Sequence, residues 1–488
     1  MSISRRRTRL GSMMPNIPLY DLYVNGAWRS ADTLLTLIDP ATAAECGRVA
    51  VASTQDLDDV LATAQASLSR WSRTPAADRG AVLIKAAHLL LDKLEHAAAA
   101  LSREQGKTLA EAKGEYRRAI ETFEWAGANA TKVSAPIPID QRRTLIPEAV
   151  GVVAAFTPWN YPAVLNARKL TASLIAGCPV ILKAAEETPS AAVFMVEALH
   201  EAGIPPGVIS LVYGEPAMIS EHLLGSPYVR ALSFTGSTHV GKLLARLAAD
   251  NLQRCVLELG GHSPVLVSED ADIPEAVRAI TEYKFECAGQ SCNAPSRILV
   301  ARSIYEPFLA ELIEAAETIK VGLPTDKSTD MGPMANGRRI AAMDRLTRDA
   351  VALGARVETG GSRLNRVGFY WPPTILTNVH PDSQILREEP FGPILTVAPY
   401  DTLEEAIAEA NASEYGLASY VFAKSHEVQT QMAKGLAAGA ISVNHLKGVS
   451  VDAPNAGVKQ SGYGYEGGLE GVRAFQNLKL INWNTAAT

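Results

Sequence analysis

The fold class of this chain is decided by the stretch VGVVAAF, which runs from Val150 to Phe156. Its residues are apolar without alternation, the pattern of a parallel strand buried on both faces of a sheet. The run Val180 to Leu182 repeats this pattern after an alanine-rich and leucine-rich segment that is typical of a helix. Two buried strands joined by a helix predict a doubly wound α/β sheet.

The alternation continues toward the C-terminus. Leu211 to Tyr213 and Ala231 to Phe234 predict two further strands of the same sheet. A second series of strands and helices is predicted from Ser263 to about Asn444, and a short strand from Ala474 to Asn484.

The N-terminal part predicts short strands followed by helices. Leu22 to Val51 alternates apolar and polar residues and carries turn signals. Apolar residues at helical spacing then predict helices over residues 57–71, 77–105 and 106–129. Residues 134–146 are punctuated by proline and predict an extended, protruding strand.

Composition excludes several classes of protein. A chain of 488 residues exceeds one ordinary core, so two or three domains are expected. A net charge of −6 argues against a nucleic-acid partner, and no apolar run reaches the ~18 residues of a membrane span. The five cysteines are odd in number and lack metal-ligand spacing, which predicts free thiols, a cytoplasmic location and no metal.

The first twenty residues contain four arginines and no acidic residue. They lack the apolar region of a secretory signal. We expect residues 1–16 to form a disordered basic tail; a transit peptide is the alternative, and Met13 or Met14 is an alternative start.

Two segments carry side chains for covalent chemistry. FECAGQSC ends at Cys292, and LELGGH, from Leu257 to His262, contains Glu258. A thiolate that attacks and a carboxylate that activates water are the two parts of a covalent acyl-transfer cycle. An isolated cysteine is usually a small buried side chain, and an isolated glutamate a solvated charge. The assignment therefore depends on the other motifs.

Six blocks occur in a fixed order, at residues 156–162, 234–238, 257–262, 285–292, 388–393 and 459–464. With these blocks the chain resembles the aldehyde dehydrogenase superfamily from Leu22 to Ile481. It is most similar to the succinate-semialdehyde dehydrogenase-like, NAD-dependent members that hydrolyse the acyl intermediate. The resemblance implies a variant Rossmann cofactor domain, an α/β catalytic domain and a small β oligomerisation element.

The same resemblance implies the domain boundaries. The NAD-binding domain is expected over residues 17–129 and 149–257, and the catalytic domain over 258–455. Residues 130–148 and 470–488 are expected to form oligomerisation strands. A homodimer or homotetramer is the implied assembly.

The resemblance implies NAD as the cofactor. Lys183 and Glu186 match positions that hold the adenosine ribose, where a carboxylate binds the ribose hydroxyls and repels a 2′-phosphate. This favours NAD over NADP, although the usual proline is Ala184 here. The implied cofactor residues are Thr157, Pro158, Trp159, Lys183, Glu186, Gly236, Ser237, Gly241, Leu259, Glu389 and Phe391. On its own, the glycine turn at Gly236 would be an ordinary helix start.

The resemblance also implies the catalytic roles. The Cys292 thiolate attacks the aldehyde carbon, and the Asn160 side chain and the Cys292 backbone amide stabilise the oxyanion. Glu258 activates the water that hydrolyses the thioester, which favours hydrolysis over transfer to coenzyme A. Lys169 and Glu466 match a pair that supports proton removal; a structural ion pair is an equally good interpretation.

The substrate pocket departs from the succinate-semialdehyde pattern. Arg168 matches an arginine that binds the substrate carboxylate, but Glu286 stands where the second arginine is common. Tyr161 is assigned to the same pocket. Cys287, Asn455 and Tyr465 replace a common asparagine, phenylalanine and arginine. A semialdehyde is expected, and an aromatic or amino-aldehyde substrate of the same mechanism is the alternative. A more distant alternative is that the protein is a catalytically inactive relative with a binding or structural role.

Overall fold

The computed structural model describes residues 17–484. The predicted basic tail, residues 1–16, and the last four residues of the predicted oligomerisation segment, 485–488, lie outside the described residues.

The described chain contains helices α1 to α15. Their bounds are α1 Thr54–Arg73, α2 Ala76–Asp92, α3 Leu94–Gln105, α4 Leu109–Ala128, α5 Ala130–Ser134, α6 Pro162–Ile175, α7 Pro189–Ala202, α8 Pro216–Gly225, α9 Thr238–Ala249, α10 Ile273–Phe285, α11 Tyr305–Thr318, α12 Gly337–Ala352, α13 Leu403–Asn411, α14 His426–Gly435 and α15 Gly468–Arg473.

The strands of the described chain are β1 to β21. Their bounds are β1 Leu19–Tyr20, β2 Leu22–Val24, β3 Ala27–Arg29, β4 Leu34–Ile38, β5 Glu45–Ala50, β6 Ile137–Pro138, β7 Arg143–Ala149, β8 Val152–Phe156, β9 Val180–Lys183, β10 Ile209–Val212, β11 Val229–Thr235, β12 Arg254–Glu258, β13 Pro264–Val267, β14 Arg297–Ala301, β15 Arg356–Thr359, β16 Thr374–Thr377, β17 Ile394–Tyr400, β18 Ala418–Phe422, β19 Ala440–Val443, β20 Gly462–Tyr463 and β21 Gln476–Asn482.

The first large sheet is the one that the stretch VGVVAAF predicts. Its eight strands follow the order β20-β12-β11-β8-β9-β10-β2-β3. Strand β8 is buried along its whole length and pairs in parallel with β9 and β11. The predicted doubly wound sheet is confirmed. Edge strand β20 pairs antiparallel with β12, so residues 462–463 return to the sheet beside Glu258.

A second sheet of seven strands follows the order β15-β16-β17-β14-β13-β18-β19 and confirms the second predicted series. All its strands except β15 pair in parallel. Each large sheet lies in an apolar core of its own, one extending from Leu22 to Phe475 and the other from Val265 to Leu446.

A small three-stranded sheet in the order β21-β7-β6 contains the predicted protruding strand. Strand β7 pairs antiparallel with β21 from Arg143↔Asn482 to Ala149↔Gln476. The prediction of extended chain over residues 134–146 was only partly right, because α5 ends at Ser134 and β7 continues to Ala149.

The prediction of continuous helix over residues 77–105 and 106–129 was wrong in its bounds. Lys93 separates α2 from α3. Gly106 ends α3 in the left-handed region at φ 96°, which glycine adopts without steric cost. Thr108 then caps α4 in a reciprocal arrangement with Glu111. The apolar spacing continued across both breaks and concealed them.

Candidate active site

Three neighbouring strands of the first sheet end at the same edge. Strands β8, β11 and β12 are parallel, and their carboxyl ends are Phe156, Thr235 and Glu258. The segments that follow them carry most of the predicted site residues. This edge is where ligands bind in open α/β sheets.

A cavity of about 480 Å³ opens at this edge. The predicted residues that line it are Pro158, Trp159, Asn160, Gly236, Ser237, Leu259, Cys292, Glu389 and Phe391. Thr157 lies beneath it, with its hydroxyl donating to Asn166 Oδ1 at 2.7 Å, and Gly241 lies within α9. Lys183 and Glu186 do not line this cavity; they lie at and just beyond the carboxyl end of β9.

The start of helix α9 forms one wall of the cavity. The Ser237 side chain caps the helix by accepting a hydrogen bond from the Val240 backbone N–H at 3.3 Å. Opposite this wall, the Trp159 and Phe391 rings meet edge to face, with their centroids 5.6 Å apart. A helix N-terminus with free amide groups and an aromatic wall suit a phosphorylated, ring-bearing ligand.

Two of the predicted cofactor residues, Glu186 and Glu389, carry carboxylates that accept backbone hydrogen bonds. Glu186 Oε1 lies 2.6 Å from Lys183 Nζ and accepts a hydrogen bond from the Gly214 N–H at 3.0 Å. Glu389 Oε1 accepts from the Gly261 N–H at 3.1 Å. Burial raises the pKa of Glu389 to about 8, and the Gly261 hydrogen bond and Arg339 oppose this shift.

The backbone before Cys292 is tightly folded. Cys287 and Ala288 adopt left-handed angles, with φ of 53° and 51°. Gly289 also has positive φ, and a Cβ there would clash with the Gly392 carbonyl. A Cβ at Gly261 would clash with the Cys292 carbonyl. Glycine at 261 therefore allows the LELGGH segment to lie against Cys292, and glycine at 289 allows the chain before Cys292 to lie against Gly392.

The two cysteines of this segment have different environments. Cys287 is buried, and its Sγ accepts a hydrogen bond from Gln105 Nε2 at 3.1 Å. Cys292 is half-buried and lines the cavity. Burial and the nearby carboxylates Glu389 and Glu258 raise the pKa of the Cys292 thiol, and Arg168 opposes them.

The loop carrying Asn160 is fixed by a buried ion pair. Lys107 Nζ bonds to Glu115 and donates to the Asn160 carbonyl at 2.8 Å. Glu115 Oε1 accepts from the Ala163 N–H at 2.7 Å, at the start of α6. One N–H of the Asn160 amide donates to the Gln290 carbonyl at 3.0 Å. Because the amide has two N–H groups, the second is available to an oxyanion.

Glu258 is 5% exposed at the end of β12. Its Oε2 accepts a hydrogen bond from Asn455 Nδ2 at 3.1 Å. Burial and the negative charge of Glu466 raise the pKa of Glu258 well above its ordinary value, against the effect of Lys169 and Arg168. Lys169 Nζ lies 2.5 Å from Glu466 Oε1, so the predicted pair forms in the buried interior.

On the opposite side of the nucleophile, Glu286 is not an isolated anion. Its Oε1 accepts a hydrogen bond from Tyr161 OH at 3.2 Å and lies 3.5 Å from Arg118 Nη2. Arg168 is half-buried and, within residues 17–484, belongs to no ion pair. The Glu286 anion therefore has a cationic neighbour, Arg118, which the sequence analysis did not identify.

The sequence reasoning did not assign roles to four residues that contact site residues: Arg118, Lys107, Glu115 and Asn455. The first three lie on or near α4, which carries no recognised motif. The replacement at Asn455 was noticed, but its contact with Glu258 was not foreseen.

Two searches of the described residues gave nothing. Within residues 17–484, no group of three or more metal-ligating side chains could hold a metal ion. No helix in that range is long and apolar enough to cross a membrane.

Comparison with known proteins connects this site to a reaction class. A profile described as "Aldehyde dehydrogenase family" matches residues 28–481. A 4-(hydroxymethyl)benzenesulfonate dehydrogenase of Comamonas testosteroni is 42% identical over 471 residues, covering 95% of this chain and 98% of that protein. A probable NADP-dependent succinate-semialdehyde dehydrogenase of Sinorhizobium fredii is 37% identical, covering 91% of this chain and 92% of that protein.

Solved structures share the architecture. A crystal structure of succinate-semialdehyde dehydrogenase from Burkholderia pseudomallei matches with a TM-score of 0.93 and 36% identity, covering 98% of this chain and all of that one.

Proposed function

The chain belongs to the aldehyde dehydrogenase family, and we propose that its substrate is an aldehyde with an anionic group at its far end, oxidised with NAD. As a member of this family, the protein is an oxidoreductase that oxidises aldehydes to carboxylic acids with NAD(P).

The observation that carries the substrate proposal is Arg168. This cation acts on the electrostatics of both Cys292 and Glu258, and no carboxylate of residues 17–484 forms an ion pair with it. An arginine without an anionic partner beside the reacting atoms is suited to a carboxylate or sulfonate. An aminated substrate is disfavoured, because Tyr161 and Arg118 already engage Glu286.

An aryl aldehyde is favoured over a short aliphatic one. The Tyr283 and Tyr420 rings meet edge to face at 6.1 Å. Burial raises the pKa of both hydroxyls, and the nearby Cys292 thiolate adds to the shift. Aromatic side chains suit a flat ring. The 42% identical relative is named a 4-(hydroxymethyl)benzenesulfonate dehydrogenase, and the aromatic ring and sulfonate in that name support an aryl substrate with an anionic group.

The residues fit the proposed cofactor. Ser237 and the start of α9 would hold the phosphates, Glu389 the nicotinamide half, and Glu186 with Lys183 the adenosine ribose. NAD is proposed over NADP because of the Glu186 carboxylate. The nicotinamide, when bound, supplies the hydride acceptor.

Each step of the proposed reaction is assigned to residues of this chain. The Cys292 thiolate adds to the aldehyde carbon, while the second Asn160 N–H and the Cys292 backbone amide bond the oxyanion. Loss of hydride leaves a thioester on Cys292. Glu258 accepts a proton from water, whose oxygen attacks the thioester and releases the acid and the thiolate.

A kinetic panel tests the substrate proposal. It comprises 4-sulfobenzaldehyde, 4-carboxybenzaldehyde, succinate semialdehyde, benzaldehyde and 3-aminopropanal. We expect the anionic aldehydes to have the highest kcat/KM. Arg168→Ala should raise KM for them by about tenfold or more, the effect of one charge-assisted bond, and leave benzaldehyde within about twofold.

The control is Arg348→Ala, which removes an exposed arginine that pairs with Asp344 on α12. It should leave the ranking unchanged. A preference for neutral or aminated aldehydes, or an equal loss with every aldehyde in Arg168→Ala, would contradict the proposal.

A homodimer or homotetramer in the cytoplasm is also proposed. Leu478 and Leu480 on edge strand β21 are each 54% exposed, a surface that a second subunit would cover. All five cysteines are free, which suits a reducing compartment. Sedimentation velocity at micromolar concentration should give a species of at least twice the monomer mass.

A further inference from the structure

Asn455 contacts two acidic residues of the site, Glu258 and Glu466. Its backbone forms an isolated antiparallel bridge with Glu466, with the Asn455 N–H donating at 2.6 Å and the Glu466 N–H at 2.9 Å. Its side chain donates to Glu258 Oε2 at 3.1 Å. One residue therefore links Glu258 to the segment whose Glu466 carboxylate binds Lys169.

The hydrogen bond from Asn455 has no substitute in the described chain. Within residues 17–484, no other side chain or backbone group donates to the Glu258 carboxyl, and its Oε1 has no partner. Both residues are buried, Glu258 at 5% and Asn455 at 8% exposure. A buried carboxylate with a single donor depends strongly on that donor.

We propose that Asn455 is a positioning residue for thioester hydrolysis, because its amide holds the Glu258 carboxyl in place and stabilises its ionised form. The proposal rests on the proposed function, in which Glu258 removes a proton from water. A phenylalanine, common at this position in the family, could neither donate to Glu258 nor accept from it.

The charged groups that face Glu258 determine the expected pH effect. Glu466 beside the bridge raises the pKa of Glu258, whereas Lys169 and Arg168 on α6 lower it. The thiolate of Cys292 is a further neighbouring anion. Hydrolysis needs the ionised carboxylate, so its rate rises as pH increases through this pKa. Loss of the Asn455 donor disfavours the ionised form, so the rise should move to higher pH.

The test uses 4-nitrophenyl acetate with the full-length protein. The Cys292 thiolate attacks the ester carbon, nitrophenolate leaves, and water then hydrolyses the acetyl thioester to acetate. The burst of nitrophenolate measures acylation and the following steady rate measures hydrolysis. Asn455→Leu, which keeps the volume and the backbone bridge, should retain the burst and slow hydrolysis about tenfold at neutral pH.

A second variant replaces the hydrogen-bond donor beside Glu258 with a negative charge. Asn455→Asp places another carboxylate beside Glu258, so the pH profile of hydrolysis should move further in the same direction than in Asn455→Leu. The control is Asn411→Leu, which removes an asparagine that bonds to Gly435 and Ala437 in the second half of the chain. It should leave the profile unchanged.

The outcomes separate the two proposals. An unshifted hydrolysis profile in both Asn455 variants, or equal losses of burst rate and hydrolysis rate, would overturn the positioning role and leave the proposed function intact. A wild-type protein that releases no nitrophenolate, or releases it as fast after Cys292→Ala, would overturn the covalent chemistry and the positioning role together.

Discussion

The cofactor side and the substrate side of Cys292 are built in different ways. On the proposed cofactor side, Trp159 follows β8 and Ser237 follows β11, and of the proposed cofactor residues only Glu389 and Phe391 come from a distant segment. On the substrate side, contacts join segments that are distant in sequence, such as Arg118 on α4 and Glu286 after α10. The first side depends largely on the backbone geometry of strand ends, whereas the second depends on how separate elements pack.

The difference extends to how charge is compensated. Glu389 and Glu186 accept hydrogen bonds from the backbone N–H groups of Gly261 and Gly214. Glu286 instead lies against the side chains of Arg118 and Tyr161. Backbone donors persist under most substitutions, but a side-chain partner can be exchanged. Substrate choice can therefore change while cofactor geometry is retained.

The largest effect is expected where the two sides meet. Cys292→Ala removes the proposed nucleophile and should reduce dehydrogenase activity by at least about a thousandfold. Cys287→Ala removes a buried thiol that accepts a hydrogen bond from Gln105 and donates to the Asn160 carbonyl, which Lys107 also holds, and should leave activity within about threefold. Steady-state rates and the nitrophenolate burst of both variants check this. Similar losses in the two variants would contradict the assignment.

The strand ends of the first sheet could be predicted from the sequence, whereas the side-chain contacts of Glu286 could not, for a physical reason. An apolar run such as Val150 to Phe156 specifies a buried strand, and the topology of parallel strands then fixes where the next residues lie. Cys292 and Glu258 were assigned instead from the six sequence blocks and the family resemblance that they carry. The Arg118 contact with Glu286 could not be predicted, because nothing local to α4 distinguishes Arg118 from its neighbour Arg117.

The helix bounds in the N-terminal part illustrate the same limit. Apolar spacing continues from α2 through α4, although Gly106 and the Thr108 cap interrupt the helix. The loop between α3 and α4 contains Lys107, which reaches the Asn160 carbonyl. The misplaced boundary thus concealed a contact that fixes the loop carrying Asn160.

An intermediate effect is expected on the cofactor side. Glu186→Ser removes the carboxylate that would bind the ribose hydroxyls and repel a 2′-phosphate, so the preference for NAD over NADP should fall by at least about tenfold. The control is Glu187→Ser, which removes a neighbouring carboxylate that pairs with Arg338. The ratio of kcat/KM for the two cofactors is the measurement. A wild-type protein that prefers NADP would contradict the assignment.

The smallest effect is expected at the substrate-side ion pair. Arg118 and Glu286 have side chains that are 47% and 25% exposed, and partly exposed pairs contribute little. Arg118→Ala would leave Glu286 with Tyr161 alone, so KM for anionic aldehydes should rise about twofold to fivefold while benzaldehyde is unaffected.

The double variant Arg118→Ala/Glu286→Gln tests whether the uncompensated charge of Glu286 causes the higher KM of Arg118→Ala. It removes both charges and keeps an acceptor for Tyr161, so KM for anionic aldehydes should return to near the wild-type value. High salt should weaken the single variant's defect, because screening acts on exposed charges. A double variant as impaired as Arg118→Ala would mean that the arginine acts through packing against Tyr161, whose ring centroid lies 5.7 Å from its guanidinium carbon.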